Sequence, residues 1–356
     1  MARAVSQDVK SEAAGSSRLS RAPARKTPPI TPRAASARSL KKTVPPQTAR
    51  LPAWTKAHPI ALKPEMPLDD AMAVVLAACQ AHWQVNMAAA VDGRQPEGTH
   101  QVRVALRRLR SALSVFKKHI PAAQRTALNT EAKWLLGQLG PARDLDVFIQ
   151  NLTAPLASKV SEDAELAQLI RAARRAQNKA HAEAAKALRS ARATRFNARL
   201  EAWIGGHGWR TEKTEKSDAI TVQAFARRFV NRRMRNIQAD YNDIESLSVA
   251  ERHELRIAVK KVRYGLEFFQ AVLPAKRGRL LASTLKHLQD TLGHLNDIDV
   301  AERTVSALVN AGTTGTERRQ VAAGGTVVSA WHKQAAKDAE PETVKLWRKM
   351  KKVPAF

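Results

Sequence analysis

The sequence predicts an all-α protein made of two similar helical bundles packed together, and three observations carry that prediction. One segment occurs twice at a constant offset, apolar residues recur with a helical period through both copies, and no region sustains the period-2 alternation of a half-buried strand. With 356 residues and 44% hydrophobic content, the chain is long enough to bury sizeable cores without covalent staples.

Segments 100–147 and 253–300 align without a gap at an offset of 153 residues, and 16 of the 48 aligned pairs are identical. Unrelated sequences would give roughly three, so the match is an internal duplication. Identical pairs include His100/His253, Arg103/Arg256, Arg110/Arg263, Phe116/Phe269, Pro121/Pro274, Lys133/Lys286, Gly140/Gly293, Asp144/Asp297 and Asp146/Asp299, while Arg107 and Arg108 face Lys260 and Lys261. Each copy reads as an apolar 3.6-periodic helix closed by Pro121 or Pro274, then a second helix closed by Gly140 or Gly293. Residues 163–203, 220–240 and 300–311 continue in helical style, and the segment from Gly205 through Lys216 reads as the linker between halves 65–205 and 217–356.

A formal charge of +28 would make a compact body repel itself, which points to a polyanionic partner: nucleic acid, an anionic membrane surface or polyphosphate. Residues 1–60, rich in Ala, Pro, Ser, Arg and Lys, are expected to form a disordered basic tail, either a solvated spacer or an extra polyanion arm. Eleven Lys/Arg against two acids in residues 1–50 give +9, so +19 of the charge belongs to the remainder. The single cysteine, Cys79, excludes an internal disulfide and suits a reducing compartment, with the cytoplasm as the default. No stretch approaches the roughly 20 apolar residues of a membrane helix, so no membrane insertion is expected.

The repeat also carries the candidate site. His100, Arg103, Arg107 and Arg110 fall within an arc of about 80° on their helix, opposite Val102, Ala105, Leu106, Leu109, Leu113 and Phe116. His253, Arg256, Lys260 and Arg263 repeat the stripe, backed by Leu255, Ala258, Val259, Val262, Leu266 and Phe269. Ten residues span roughly 15 Å, too long for one phosphate and suited to a chain of them. Four cations on one arc repel one another unless an anion lies along them, and guanidinium forks bind phosphate oxygens bidentately. Two further basic faces, one of Arg171, Arg174, Arg175, Lys186, Arg189 and Arg192 and one of Arg228, Arg232 and Arg235, would line the same cleft if their helices surround it; alone, each reads as a solvated face.

Asp144, Asp146, Asp297 and Asp299 read as N-cap residues after a glycine C-cap, or as carboxylates for a divalent cation or acid–base work. Lys133 and Lys286 read as contributors to the anion site or as partners of those acids, and Tyr264 as a phosphate donor or as packing. The remaining histidines show no metal-ligand spacing, and Walker, dinucleotide and nucleophile-elbow motifs are absent, so neither a metal nor a cofactor is expected.

His100-Gln-Val-Arg-Val-Ala-Leu-Arg-Arg-Leu-Arg110, Leu139-Gly-Pro-Ala-Arg-Asp-Leu-Asp146, His253-Glu-Leu-Arg-Ile-Ala-Val-Lys-Lys-Val-Arg-Tyr264 and Leu288-Gln-Asp-Thr-Leu-Gly-His-Leu-Asn-Asp297, in this order, resemble the CHAD family, the conserved-histidine α-helical domain. The resemblance covers about residues 65–356 and leaves the tail uncovered; Trp331 and the Gly324-Gly325 pair match the family pattern only loosely. It implies two pseudo-twofold-related four-helix bundles around a basic central channel that binds inorganic polyphosphate, in a stand-alone member associated with polyphosphate granules. The residues it nominates are His100, Arg103, Arg107, Arg110, Lys133, His253, Arg256, Lys260, Arg263 and Lys286, joined by the basic neighbours Arg108 and Lys261 and by Tyr264. The expected activity is binding without catalysis, with granule proteins and weakly bound nucleic acid as further partners. A nucleic-acid-binding protein is the rival reading, set against 5% aromatic content and no stacking platform; a phosphate-hydrolysing or phosphate-transferring enzyme is the third.

Overall fold

The computed structural model describes residues 51–157, 163–211, 220–354 and 356, without the side chains of 294–297. Residues 1–50 of the expected tail and 212–219 of the expected linker lie outside the described residues. The elements are α1 (Leu68–Asp92), α2 (Pro96–Val115), α3 (Ala122–Gln138), α4 (Gly140–Val147), a π-helical stretch (Phe148–Thr153), α5 (Ala154–Ala157), α6 (Ala164–Leu188), α7 (Ala191–Gly205), α8 (Val222–Asp240), α9 (Val249–Phe268), α10 (Ala275–Thr291), α11 (Gly293–Ala311), α12 (Gly315–Asp338) and α13 (Glu340–Lys351). No strand occurs among the described residues, and the all-α prediction holds.

Local chemistry sets the helix ends. Asp163, Ser190, Thr221 and Thr314 cap α6, α7, α8 and α12 through side-chain oxygens that accept backbone N–H bonds, and Ser248 with Glu251 forms a reciprocal capping box on α9. Pro121 and Pro274 stand immediately before α3 and α10, so the duplicated helix hairpins break at the same place. α1 ends at Gly93, whose φ of 73° a residue with a side chain rarely adopts. The loosely matching Gly324 has a packing reason: a Cβ there would come within 2.7 Å of the Glu165 carbonyl oxygen, so the glycine lets α12 lie close against α6.

Two hydrophobic cores form among the described residues, and each draws on residues before and after the 205–216 segment. The larger joins α1, α2 and α3 to α8, α9, α10 and α13, with Phe116 and Phe269 in edge contact at a centroid distance of 6.1 Å. The smaller joins Phe148, Leu152 and Leu169 to Ala301, Leu308, Val321 and Val328 of α11 and α12. On α2 the whole predicted apolar face, Val102, Ala105, Leu106, Leu109, Leu113 and Phe116, is buried. Each large side chain contributes about 1.5–3 kcal/mol, against about 0.2–0.5 kcal/mol for each like-charge pair one turn apart. The core face therefore outweighs the repulsion along the basic stripe.

Residues 51–60, expected as part of the tail, lie against α1. The Thr55 backbone N–H donates to Asn86 Oδ1 at 2.9 Å, Asn86 Nδ2 returns a bond to the Thr55 carbonyl at 3.0 Å, and Ile60 is buried. An apolar anchor and two satisfied backbone groups hold a stretch whose composition alone reads as linker.

Candidate anion-binding cleft

The two duplicated helices, α2 and α9, face each other across a cavity of about 660 Å³. Arg107 and Arg110 line it from α2, Arg125 from α3, and Arg256, Lys260, Lys261 and Arg263 from α9. Ser111, Ser114, Thr126, Asn129, Tyr264 and Gln289 add polar groups, and no carboxylate is among the described lining residues. Seven cations from the two copies thus share one cavity, where a low-dielectric floor concentrates their field. Arg110 Nε donates to Asn129 Oδ1 at 2.7 Å, which fixes the guanidinium on the wall. Arg107 keeps a buried Nε with no hydrogen-bond partner among the described residues. Burial raises the Tyr264 phenol above its usual range, so at neutral pH it keeps its proton and can donate.

The N-terminal end of the α2 stripe is used differently. Arg103, half-buried, donates through Nη1 to the Leu136 carbonyl at 2.7 Å and so satisfies an end of α3; burial, then Arg107, lowers it to about 10, still protonated at neutral pH. His100 sits beside it, with burial first and then Arg143, Arg107 and Arg103 holding it down at about 4. It is neutral at pH 7 and adds no positive charge to the stripe. Its counterpart His253 is exposed, and neither histidine, nor Arg103, lines the cavity.

Several nominated residues lie elsewhere. Arg108 turns inward: it is 1% exposed, its Nε lies 2.6 Å from Glu267 Oε1, and its guanidinium stands 5.8 Å from the Phe268 ring. It is a buried structural cation and not a wall of the cleft, because α9 brings it an acid. Lys133 is exposed on α3 away from the cavity, while Lys286 lines a second cavity, of about 510 Å³, that shares Arg263 with the first. The α6–α7 cations Arg171, Arg174, Arg175, Lys186, Arg189 and Arg192 are all exposed and line no part of the cleft. Arg175 is paired with Glu317; Arg192 pairs with Glu131 at 2.8 Å and lies 4.1 Å from the Trp134 ring centroid. Arg228 bonds the Ala224 carbonyl of its own helix at 3.3 Å, Arg232 borders a narrow cavity with His119, and Arg235 lies beside Val353 and Phe356. These helices pack outside the α2–α9 pair, so their basic faces do not converge on it.

The acids are not N-caps. Leu139 stays right-handed, at φ −85° and ψ −9°, so the chain runs from α3 into α4 with Gly140 as its first residue and Asp144 inside the helix. Gly140 stands 3.6 Å, measured from an added Cβ, from the Arg103 guanidinium, and Gly293 repeats this at 4.0 Å from Arg256. Asp146 is fully buried and accepts from His181 Nε2 and Gln177 Nε2, both at 2.8 Å, tying α4 to α6. Asp299 is exposed and pairs with Arg303 at 3.2 Å; the Asp297 side chain lies outside the described residues. Asp69, Asp70 and His207 come within metal-ligand reach of one another, yet Asp69 already accepts from His207, Trp209 and Arg210 and serves as a structural tie.

The described residues contain no helix long and apolar enough to cross a membrane. The sequence profile of the CHAD domain matches residues 74–306, well over half of the chain. The chain belongs to the CHAD domain family. A crystal structure of the CHAD domain from the plant Ricinus communis is similar at a TM-score of 0.71 and 29% identity, covering 83% of this chain and 96% of that one. PptA from Streptomyces chartreusis shares the fold at a TM-score of 0.57 and 16% identity, over 79% of this chain and 99% of its own. No curated protein matches the sequence. Within this CHAD domain, sequence reasoning passed over Arg125, Asn129 and Ser114. Arg125 and Asn129 share a helix face one turn apart, but their repeat counterparts are Gly278 and Ala282, so the duplication gave no signal for them.

Proposed function

We propose that this CHAD domain binds inorganic polyphosphate without cleaving it, in the cleft between α2 and α9, and that it does so in the cytoplasm at polyphosphate granules. The observation that carries the reading is the convergence of seven cations from both sequence copies on one cavity with no described carboxylate in its lining. Arg107, Arg110, Arg125, Arg256, Lys260, Lys261 and Arg263 are the contacts, with the Tyr264 hydroxyl as a neutral donor. Guanidinium forks meet the paired oxygens of successive phosphates, ammonium groups add point charge, and each phosphate engaged releases counterions. A wall rich in cations, with no carboxylate or histidine among its described lining residues, favours holding over hydrolysis, since it offers no evident general base and no anionic ligand for a divalent cation. Tyr264 is the one aromatic residue in the described lining, which gives nucleobases no stacking series and favours a bare phosphate chain.

The test is a competition at fixed physiological salt. Labelled long-chain polyphosphate is titrated against RNA, double-stranded DNA and triphosphate at equal phosphate concentration, while free phosphate is followed. Retention of polyphosphate with no phosphate release supports the reading. Displacement by nucleic acid, or phosphate released in proportion to protein, overturns it.

A further inference from the structure

The two copies build their sides of the cleft with different chemistry. Arg110, Ser114, Arg125 and Asn129 on the α2–α3 wall correspond in the repeat to Arg263, Glu267, Gly278 and Ala282, and those four line the second cavity, between α9 and α10. The cavities adjoin at Arg263, which belongs to both. The duplication has changed the lining. A hydroxyl donor has become a carboxylate, a guanidinium has become a glycine, and a side-chain amide has become a methyl group. The gains are Arg279, exposed, in place of Thr126, and Lys286, whose counterpart Lys133 lies away from the first cavity.

Glu267 is held at that junction by its ion pair with Arg108, and its side chain is still 36% exposed. A carboxylate only accepts hydrogen bonds, as phosphate oxygens do, so the two cannot satisfy each other, and their like charges oppose contact. Ser114, at the same place in the first copy, can donate. An anion chain leaving the cleft past Arg263 therefore meets a hydroxyl donor at Ser114 on one side and, on the other, the Glu267 carboxylate ahead of Arg279 and Lys286.

We propose that the polyanion track has one open and one closed side: it extends from the cleft over the α2–α3 wall and stops at Arg263, with Glu267 as the residue that closes the α9–α10 side. This rests on the polyphosphate reading above. It makes the bound length finite, so affinity stops rising once the chain fills the open side.

Dissociation constants of the full chain for polyphosphates of defined length test this, with E267Q, R108M/E267Q and S114E beside wild type. The double variant removes the carboxylate without leaving Arg108 as a buried lone cation, so it answers the question where E267Q folds poorly. Wild type is expected to reach a plateau with length. The variants without the carboxylate move that plateau to longer chains and bind them about tenfold more tightly, and S114E binds every length about tenfold more weakly. An unchanged plateau in R108M/E267Q, or wild-type binding by S114E, overturns the proposal. Absence of any binding by wild type overturns the polyphosphate reading itself and this proposal with it.

Discussion

Arg108 and Glu267 form an ion pair of 2.6 Å between the duplicated helices, with the arginine 1% exposed. Lys261, which occupies the position of Arg108 in the second copy, is exposed and lines the cleft instead. One repeat position thus serves two purposes. In the first copy it braces α2 to α9 from inside; in the second it faces the cleft.

Removing one partner of that pair is costly. E267A leaves the Arg108 guanidinium buried and uncompensated and is expected to lower stability by about 3 kcal/mol, whereas R108M/E267Q is expected to stay within about 1 kcal/mol of wild type. Urea denaturation midpoints measure both. Equal losses in the two variants would show that the pair is not the brace.

Cations in the cleft and outside it should separate cleanly. Charge reversal of Arg107 and Lys260 together is expected to weaken polyphosphate binding by at least about 100-fold, since each reversal replaces an attraction by a repulsion. The same change at the exposed Arg171 and Arg174 is expected to cost less than about threefold at physiological salt, where surface charges are screened. Fluorescence titration with labelled polyphosphate reads the difference. Comparable losses would assign the binding to bulk charge.

Arg125 has no counterpart in the second copy, where Gly278 stands, yet it lines the cleft. R125A is expected to weaken binding and to reduce the slope of log affinity against log salt by roughly 0.7–0.9, the contribution of one phosphate contact. An unchanged slope would place Arg125 outside the track.

His100 gives the fold a pH dependence of known sign. Its native value of about 4, set by burial and then by Arg143, Arg107 and Arg103, lies below the roughly 6.5 of an unfolded histidine. Above about pH 6.5 both states are neutral there and the residue adds no pH dependence. Between about 6.5 and 4 the unfolded chain takes up a proton that the native chain refuses, so stability falls as pH falls through that window. Thermal melts near pH 7 and pH 5 should show a smaller drop for H100Q than for wild type. An equal drop would locate the acid sensitivity elsewhere.

The fold class, the repeat and the apolar face of α2 were legible because periodicity states which side chains share an arc of a helix, and duplication states which segments correspond. Periodicity does not state which helix an arc will meet. Arg108 shares its sequence neighbourhood with Arg107, yet Glu267, far along the chain, decides that it is buried. The α6 and α7 stripes look as basic as that of α2, but those helices pack outside the α2–α9 pair and present their cations to solvent or to Glu131 and Glu317. His100 reads as a cation in the sequence and is neutral in the fold, because burial and three neighbouring guanidinium groups exclude its proton. Gly140 reads as a helix stop, and the structure uses it to start α4 beside the Arg103 guanidinium.

A structure of the full chain with long-chain polyphosphate bound tests the central claim most directly. Phosphate density is expected between α2 and α9, in contact with Arg107, Arg110, Arg125 and Lys260. Density confined to the outer α6–α7 face, with the cleft empty, would contradict it.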